Sequence, residues 1–204
     1  MAEHDSNSRL EAFSDGVFAI AMTLLIIDIK IPSSDKIQTA NDLWAALLHI
    51  APSIATFILS FTIILITWVN HHAGAKLIRG TSSSFIYANG FLLLTVVFLP
   101  FPTALLGDNV LTERAAPAVI LYDAVMGLQA IAWILVLRTA IANHLAKNES
   151  ALRHLHQNLK FASYATVVYT VFAIIAIWFP LTVAIATTLI WFFWLLVGIR
   201  MKAE

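Results

Sequence analysis

The sequence predicts an all-α membrane protein, a single domain of six transmembrane helices. Of its 204 residues, 60% are hydrophobic and only 12% are charged, and the mean hydropathy is +0.84. These values are far from those of soluble domains. Polar breaks divide the chain into apolar segments that are about long enough to span a membrane as helices. The predicted spans are residues 10–31, 43–69, 85–106, 117–142, 161–179 and 181–199.

The composition also excludes several classes of function. The formal net charge is zero, which argues against nucleic-acid binding because nucleic-acid-binding domains usually carry a basic patch. The chain contains no cysteine, which removes disulfides, thiolate metal sites and thiol catalysis. It has no paired carboxylates, no glycine-rich phosphate loop and no H-E-x-x-H pattern. We therefore expect no enzyme activity, no cofactor and no metal site.

The uninterrupted apolar part of the first predicted span is short and lies between two aspartates. Twelve apolar residues lie between Asp15 and Asp28 and cover roughly 18 Å, against a hydrocarbon core of about 30 Å. If this helix spans the membrane, both carboxylates and Lys30 lie near or inside it. Ionisable groups at that depth normally face a bundle interior or a water-filled cavity. This helix is therefore a candidate pore helix. Because its N-terminal flank is polar and acidic and lacks a cleavage site, we do not expect a signal peptide.

The later spans are separated by segments of turn or surface composition. These are Pro32–Lys36, His71–Ser84, Gly107–Asn109 and Asn143–Lys160. We expect His154 and His156 in the last of these to be solvated loop residues. Pro180 stands between the final two spans with almost no polar linker, which predicts a tight hairpin or a kinked pair there.

The distribution of lysine and arginine predicts the orientation. Nine of these residues fall on one side of the predicted spans and three on the other. Cytoplasmic loops of membrane proteins are enriched in lysine and arginine. We expect both termini to be cytoplasmic. The nine are Arg9, Lys76, Arg79, Arg138, Lys147, Arg153, Lys160, Arg200 and Lys202, and the three are Lys30, Lys36 and Arg114.

One face of the first helix carries aliphatic side chains at helical spacing. At about 100° per residue, a broad face collects Arg9, Phe13, Gly16, Ile20, Thr23, Leu24 and Ile27. This face would pack against a neighbouring helix, or it would form a hydrophobic constriction around an ion path. The Thr23 hydroxyl likewise has two interpretations. It would bond back to the carbonyl four residues earlier, or several copies would replace part of an ion's hydration shell.

Ser14 and Asp15 could cap a helix start, but Leu10 to Ala12 before them also have a helical pattern. We therefore expect the two residues to lie inside the helix. An interior carboxylate needs partners there. The candidates are Arg9, Asn70, His71 and His72. Because adjacent histidines on a helix point about 100° apart, metal chelation by His71 and His72 is not expected.

The segment Arg9-Leu-Glu-Ala-Phe13-Ser14-Asp15 fits R-x-x-x-F-S-D, and the chain resembles the bacterial and endolysosomal potassium channel family whose first helix carries that motif. The resemblance implies a potassium channel in which the first helices of four subunits line the pore. It implies a narrowest point at Ile20, followed by Leu24 and Ile27, and a selectivity-determining hydroxyl at Thr23.

The same resemblance extends to the segment from Trp68 through Asn70, His71 and His72, which in the family packs against the F-S-D motif. We interpret this polar network as structural, with a possible response to pH. A single copy of the motif implies a homotetramer in the plasma membrane of a bacterium, with potassium ions and the lipid bilayer as partners. Since T-V-G-Y-G is absent, selectivity would depend on side chains and pore dimensions.

Two other functions fit parts of the sequence. In a proton-coupled secondary transporter or a proton-permeable channel, Asp15, Asp28 and the histidines would form a relay. Transporters of this kind often contain paired repeats and broken helices, and we find no internal repeat here. A membrane-embedded haem protein or enzyme is disfavoured because the ligand pattern is missing.

Overall fold

The computed structural model describes the backbone of residues 2–30 and 37–200, and the side chains of 7–27, 29–30 and 37–192. Within these ranges the regular elements are helices, as predicted. They are α1 (Ala2–Leu24), which continues as a 3-10 turn (Leu25–Asp28), α2 (Ala40–His49), α3 (Ala51–Ala75), α4 (Ser83–Phe98), α5 (Pro100–Asn109), α6 (Ala115–Ala142), α7 (Glu149–Ile175) and α8 (Pro180–Arg200).

The predicted second and third spans are each divided into two helices. Residues 43–69 contain the end of the short helix α2, and α3 begins again at Ala51 with Pro52 in its first turn. Residues 85–106 contain a second break, after which Pro100 opens α5. Proline has no backbone N–H and is therefore best placed in the first turn of a helix. Hydropathy alone could not locate these breaks, because the residues on both sides are apolar.

The helix of the fifth predicted span begins earlier than the sequence predicted, in a segment expected to be a loop. Helix α7 begins at Glu149 instead of near residue 161, and the Asn148 side chain caps it by accepting a hydrogen bond from the Ala151 backbone N–H at 2.8 Å. His154 and His156 therefore lie on the exposed surface of a helix and not in a loop. The polar composition of residues 149–160 reflects contact with water. It does not mark the end of the helix.

Five helical stretches are long and apolar enough to cross a membrane, namely Asn7–Ile27, Ala51–Ala75, Ser83–Asn109, Ala115–Ala142 and Glu149–Ile175. The third of these joins α4 and α5 end to end. Helix α8 is a further apolar helix. Helix α6 is central, with α4, α5, α7 and α8 packed around it, and α1 lies against α3 and α4. The chain is thus a multi-pass helical membrane protein.

Two sets of contacts mark opposite ends of the bundle. At one end, the Arg79 N–H donates to the Leu145 carbonyl at 2.8 Å and the Lys147 N–H donates to the Leu77 carbonyl at 2.9 Å. These bonds join the α3–α4 and α6–α7 loops. At the other end, Lys30 Nζ lies 3.7 Å from an Asp108 carboxylate oxygen. Basic loops predicted to share one side of the membrane therefore do share one end of the bundle.

Helices α3 and α5 approach each other closely at Gly107. A Cβ at this position would lie 2.7 Å from Thr56 Oγ1 and 2.8 Å from the Ser53 Cα. Small residues at membrane helix contacts permit this proximity. One of the two clashing atoms is backbone, so a rotamer change cannot relieve the clash.

We expect Gly107→Ala to destabilise the folded protein by about 1 to 3 kcal/mol, the usual cost of overpacking. Gly90→Ala is the matched control, since nothing lies within 4 Å of a Cβ there. Thermal unfolding in mild detergent measures both variants. Equal melting temperatures for the two variants would show that α3 and α5 are not tightly packed at Gly107.

Candidate pore face and polar network

Helix α1 presents one face to the rest of the bundle. Ser14, Phe18, Ala21 and Leu25 recur at intervals of three or four residues and are almost completely buried. Phe18 lies beside the His71 ring of α3, with ring centroids 5.4 Å apart. This buried face fixes the rotation of α1 about its own axis.

The opposite face of α1 is exposed in the single chain. It is the face that the helical periodicity collected, and Phe13, Ile20, Leu24 and Ile27 on it are 62%, 58%, 39% and 71% exposed. Thr23 lies among them and is also exposed. In the described part of one chain, nothing covers this aliphatic stripe.

The Thr23 hydroxyl donates to the Ile20 carbonyl at 2.9 Å. The acceptor is therefore three residues earlier and not the expected four. A threonine hydroxyl has one proton and two lone pairs. Because the proton points back along the helix, the lone pairs remain available to a group outside α1. The back-bond is therefore compatible with cation binding.

A chain of buried hydrogen bonds ties α1 to α3 and α4. Asn89 on α4 accepts a hydrogen bond from His71 Nε2 at 2.7 Å and donates through Nδ2 to Ser14 Oγ at 3.0 Å. Ser14 in turn donates to the Leu10 carbonyl at 2.8 Å. All three side chains are buried. The sequence analysis missed Asn89, although an amide inside the apolar segment 85–106 was a signal for such a contact.

Asp15 has a different partner from those predicted. Its Oδ1 accepts a hydrogen bond from the Trp68 indole Nε1 at 2.8 Å. Arg9 and Asn70 are exposed and make no described bond to Asp15, and His71 points to Asn89 instead. Arg9 does not pair with Asp15 because the rotation of α1 about its axis places Arg9 on the uncovered face. Ser14 and Asp15 do lie inside the helix, as expected.

His72 completes the contacts between α1 and α3. Its Nδ1 lies 2.9 Å from Glu11 Oε1, and its ring stacks on Trp68 with centroids 5.9 Å apart. Protonated His72 would form an ion pair with Glu11, and neutral His72 would not. In this segment Trp68 bonds directly to the F-S-D motif, His71 reaches Ser14 through Asn89, and His72 lies beside Glu11.

We expect Asn89→Leu to destabilise the protein by about 1 to 3 kcal/mol, because it leaves the buried His71 Nε2 without an acceptor. Asn70→Leu is the control, since Asn70 is exposed and takes no part in this chain. Thermal unfolding of purified protein compares the two. If Asn70→Leu is the more damaging variant, the network has been assigned to the wrong amide.

Comparison with known proteins identifies similar chains. Residues 9–100 match the family model described as endosomal/lysosomal potassium channel TMEM175. A potassium channel of Streptomyces collinus is 37% identical over 183 residues, which span 89% of this chain and 83% of that protein. A potassium channel of Chamaesiphon minutus is 46% identical over 120 residues, 59% of each chain.

A solved structure has the same architecture. The crystal structure of a lysosomal potassium-selective channel TMEM175 homolog from Chamaesiphon minutus matches with a TM-score of 0.82 at 31% sequence identity. The match covers 95% of this chain and 98% of that one. The two chains therefore share the arrangement of helices described above.

Proposed function

This chain belongs to the TMEM175 family, and we propose that it is a potassium channel that conducts passively through a central pore lined by four copies of α1. The uncovered face of α1 carries this proposal. An aliphatic stripe alone could contact lipid, but this face also has the Thr23 hydroxyl between Ile20 and Ile27, and Arg9 at one end. Facing copies of α1 would enclose these groups around a shared aqueous axis.

The constriction in this pore is formed by Ile20, with Leu24 and Ile27 on the following turns. Their exposed side chains would form successive apolar rings, which a hydrated cation crosses only when the rings widen or become wet. Thr23 would supply four hydroxyl oxygens beside the first ring. Selectivity by hydroxyls and pore width, without a carbonyl-lined filter, is expected to be less strict than in channels with T-V-G-Y-G.

The contacts between α1, α3 and α4 hold the pore helix in place. Ser14 and Asp15 bond to Asn89 and Trp68, and Glu11 lies 2.9 Å from His72 Nδ1, on the side of α1 away from the stripe. These bonds fix how far Ile20 projects toward the axis. In this account the F-S-D motif positions the pore helix and does not contact the ion.

The orientation follows from the two ends of the bundle. We place the end with the joined α3–α4 and α6–α7 loops in the cytoplasm, because lysine and arginine are enriched there. Both termini are then cytoplasmic, and the site of action is the plasma membrane of a bacterium.

The reversal potential of purified protein in planar bilayers under a potassium/sodium gradient tests the function. A potassium channel gives unitary currents that reverse near the potassium equilibrium potential. A proton-coupled carrier gives no resolvable unitary current, and a proton-permeable channel reverses with the pH gradient. Either result would refute potassium conduction as the main activity.

A further inference from the structure

A second polar cluster lies inside the bundle, away from the pore face. Asp123 is on α6, about 12 Å along the helix from Ala115, and is 1% exposed. The Thr187 hydroxyl of α8 donates to its Oδ1 at 2.9 Å. The other oxygen, Oδ2, has no hydrogen-bond partner among the described residues.

Among the described residues, no charged side chain pairs with Asp123. Neither described ion pair includes it. The titratable groups that face it are two phenols, Tyr122 beside it on α6 and Tyr169 on α7. Tyr122 bonds to Ser60 of α3 at 3.1 Å, and Ser60 accepts a hydrogen bond from Thr103 of α5 at 2.7 Å. The polar groups named here on α3, α5, α7 and α8 are all hydroxyls.

The ionised and neutral forms of Asp123 differ sharply in the free energy required to bury them. A buried charge without a partner is strongly destabilising even after relaxation, and more so within a bilayer. A neutral carboxylic acid with one unpaired polar atom is much less destabilising. The neutral form is therefore the form that this environment permits.

The oxygens at Asp123 favour binding of a proton over binding of a metal cation. An alkali cation needs several oxygens to replace its hydration shell, and the described oxygen bonded to the Asp123 carboxylate is the Thr187 hydroxyl. A proton needs one oxygen, and Oδ2 is free to take it. We propose that Asp123 is a proton-binding site inside the membrane, and that its protonated form holds α8 against α6.

This proposal goes beyond ion conduction and is tested without measuring current. Infrared spectra of the reconstituted protein, labelled with 13C-aspartate, should contain the carbonyl stretch of a protonated carboxyl at neutral pH. Asp123→Asn should remove that band, and Asp108→Asn, which changes an exposed carboxylate, should leave it. Thr187→Val should move it to higher frequency, because Oδ1 loses its donor. Should Asp123→Asn fail to fold, the Thr187→Val shift alone assigns the band.

The stability of the protein gives an independent readout. Because the folded state holds the proton, raising the pH should lower the melting temperature of the wild type and of Asp108→Asn. In Asp123→Asn this fall should be much smaller. Absence of the band in the wild type, or a band unchanged in both Asp123→Asn and Thr187→Val, would overturn the proposal. A melting temperature that falls equally in Asp123→Asn would also overturn it.

Discussion

Ile20→Ala is expected to increase the unitary potassium current, and Ile20→Asn is expected to produce a pore that is continuously open to water. Ile20 is 58% exposed in the single chain, so trimming it leaves no cavity in the core of that chain. It would instead widen the apolar ring at the constriction, and a polar side chain there would keep the ring wet. Single-channel recording of the folded, reconstituted protein measures the effect.

A core position supplies the contrast. Ile63 on α3 is completely buried, and Ile63→Ala should cost about 2 to 5 kcal/mol of stability. It should reduce the amount of folded channel without raising the current of each one. If Ile20→Ala behaves like Ile63→Ala, with lower stability and normal or smaller unitary current, then Ile20 is a packing residue. Leu24 would be the next candidate for the constriction.

Thr23→Val is expected to move the reversal potential toward the value for equal potassium and sodium permeability. The substitution removes a hydroxyl from an exposed position and conserves the shape of the side chain, so folding should be unaffected. Thr23→Ser retains the hydroxyl and should retain most of the selectivity. Bi-ionic reversal potentials measure both.

Thr170 on α7 provides a matched control. Like Thr23, it is exposed and bonds back to a carbonyl of its own helix, that of Thr166 at 2.7 Å. Thr170→Val should therefore leave the reversal potential unchanged. Unaltered selectivity in Thr23→Val would reduce Thr23 to the same role as Thr170, a local bond within the helix.

The sequence predicted the α1 face because one physical constraint governs it. A single helix with a fixed rotation per residue must place Ile20, Thr23, Leu24 and Ile27 on a common side, whatever surrounds it. Hydropathy also found the apolar segments, since each must match the thickness of the bilayer. That these residues line a pore came from the resemblance to a known family and remains a proposal.

Other features could not be predicted, because they depend on the three-dimensional packing of the helices. The pairing of Asp15 with Trp68 instead of Arg9 depends on the rotation of α1 against α3. Asn89 becomes a bridge only when three helices meet. The start of α7 at Glu149 escaped prediction because a helix that extends into water has the composition of a loop.

Cysteine accessibility along α1 tests the pore assignment most directly. The chain contains no cysteine, so each single substitution introduces the only thiol. A cationic, water-soluble thiol reagent should block the potassium current of Ile20→Cys, Thr23→Cys and Ile27→Cys. The reagent should not change the potassium current of Ala21→Cys or Leu25→Cys, because both positions are buried within the chain. Current that is insensitive at all three exposed positions would contradict a conduction path along this face of α1.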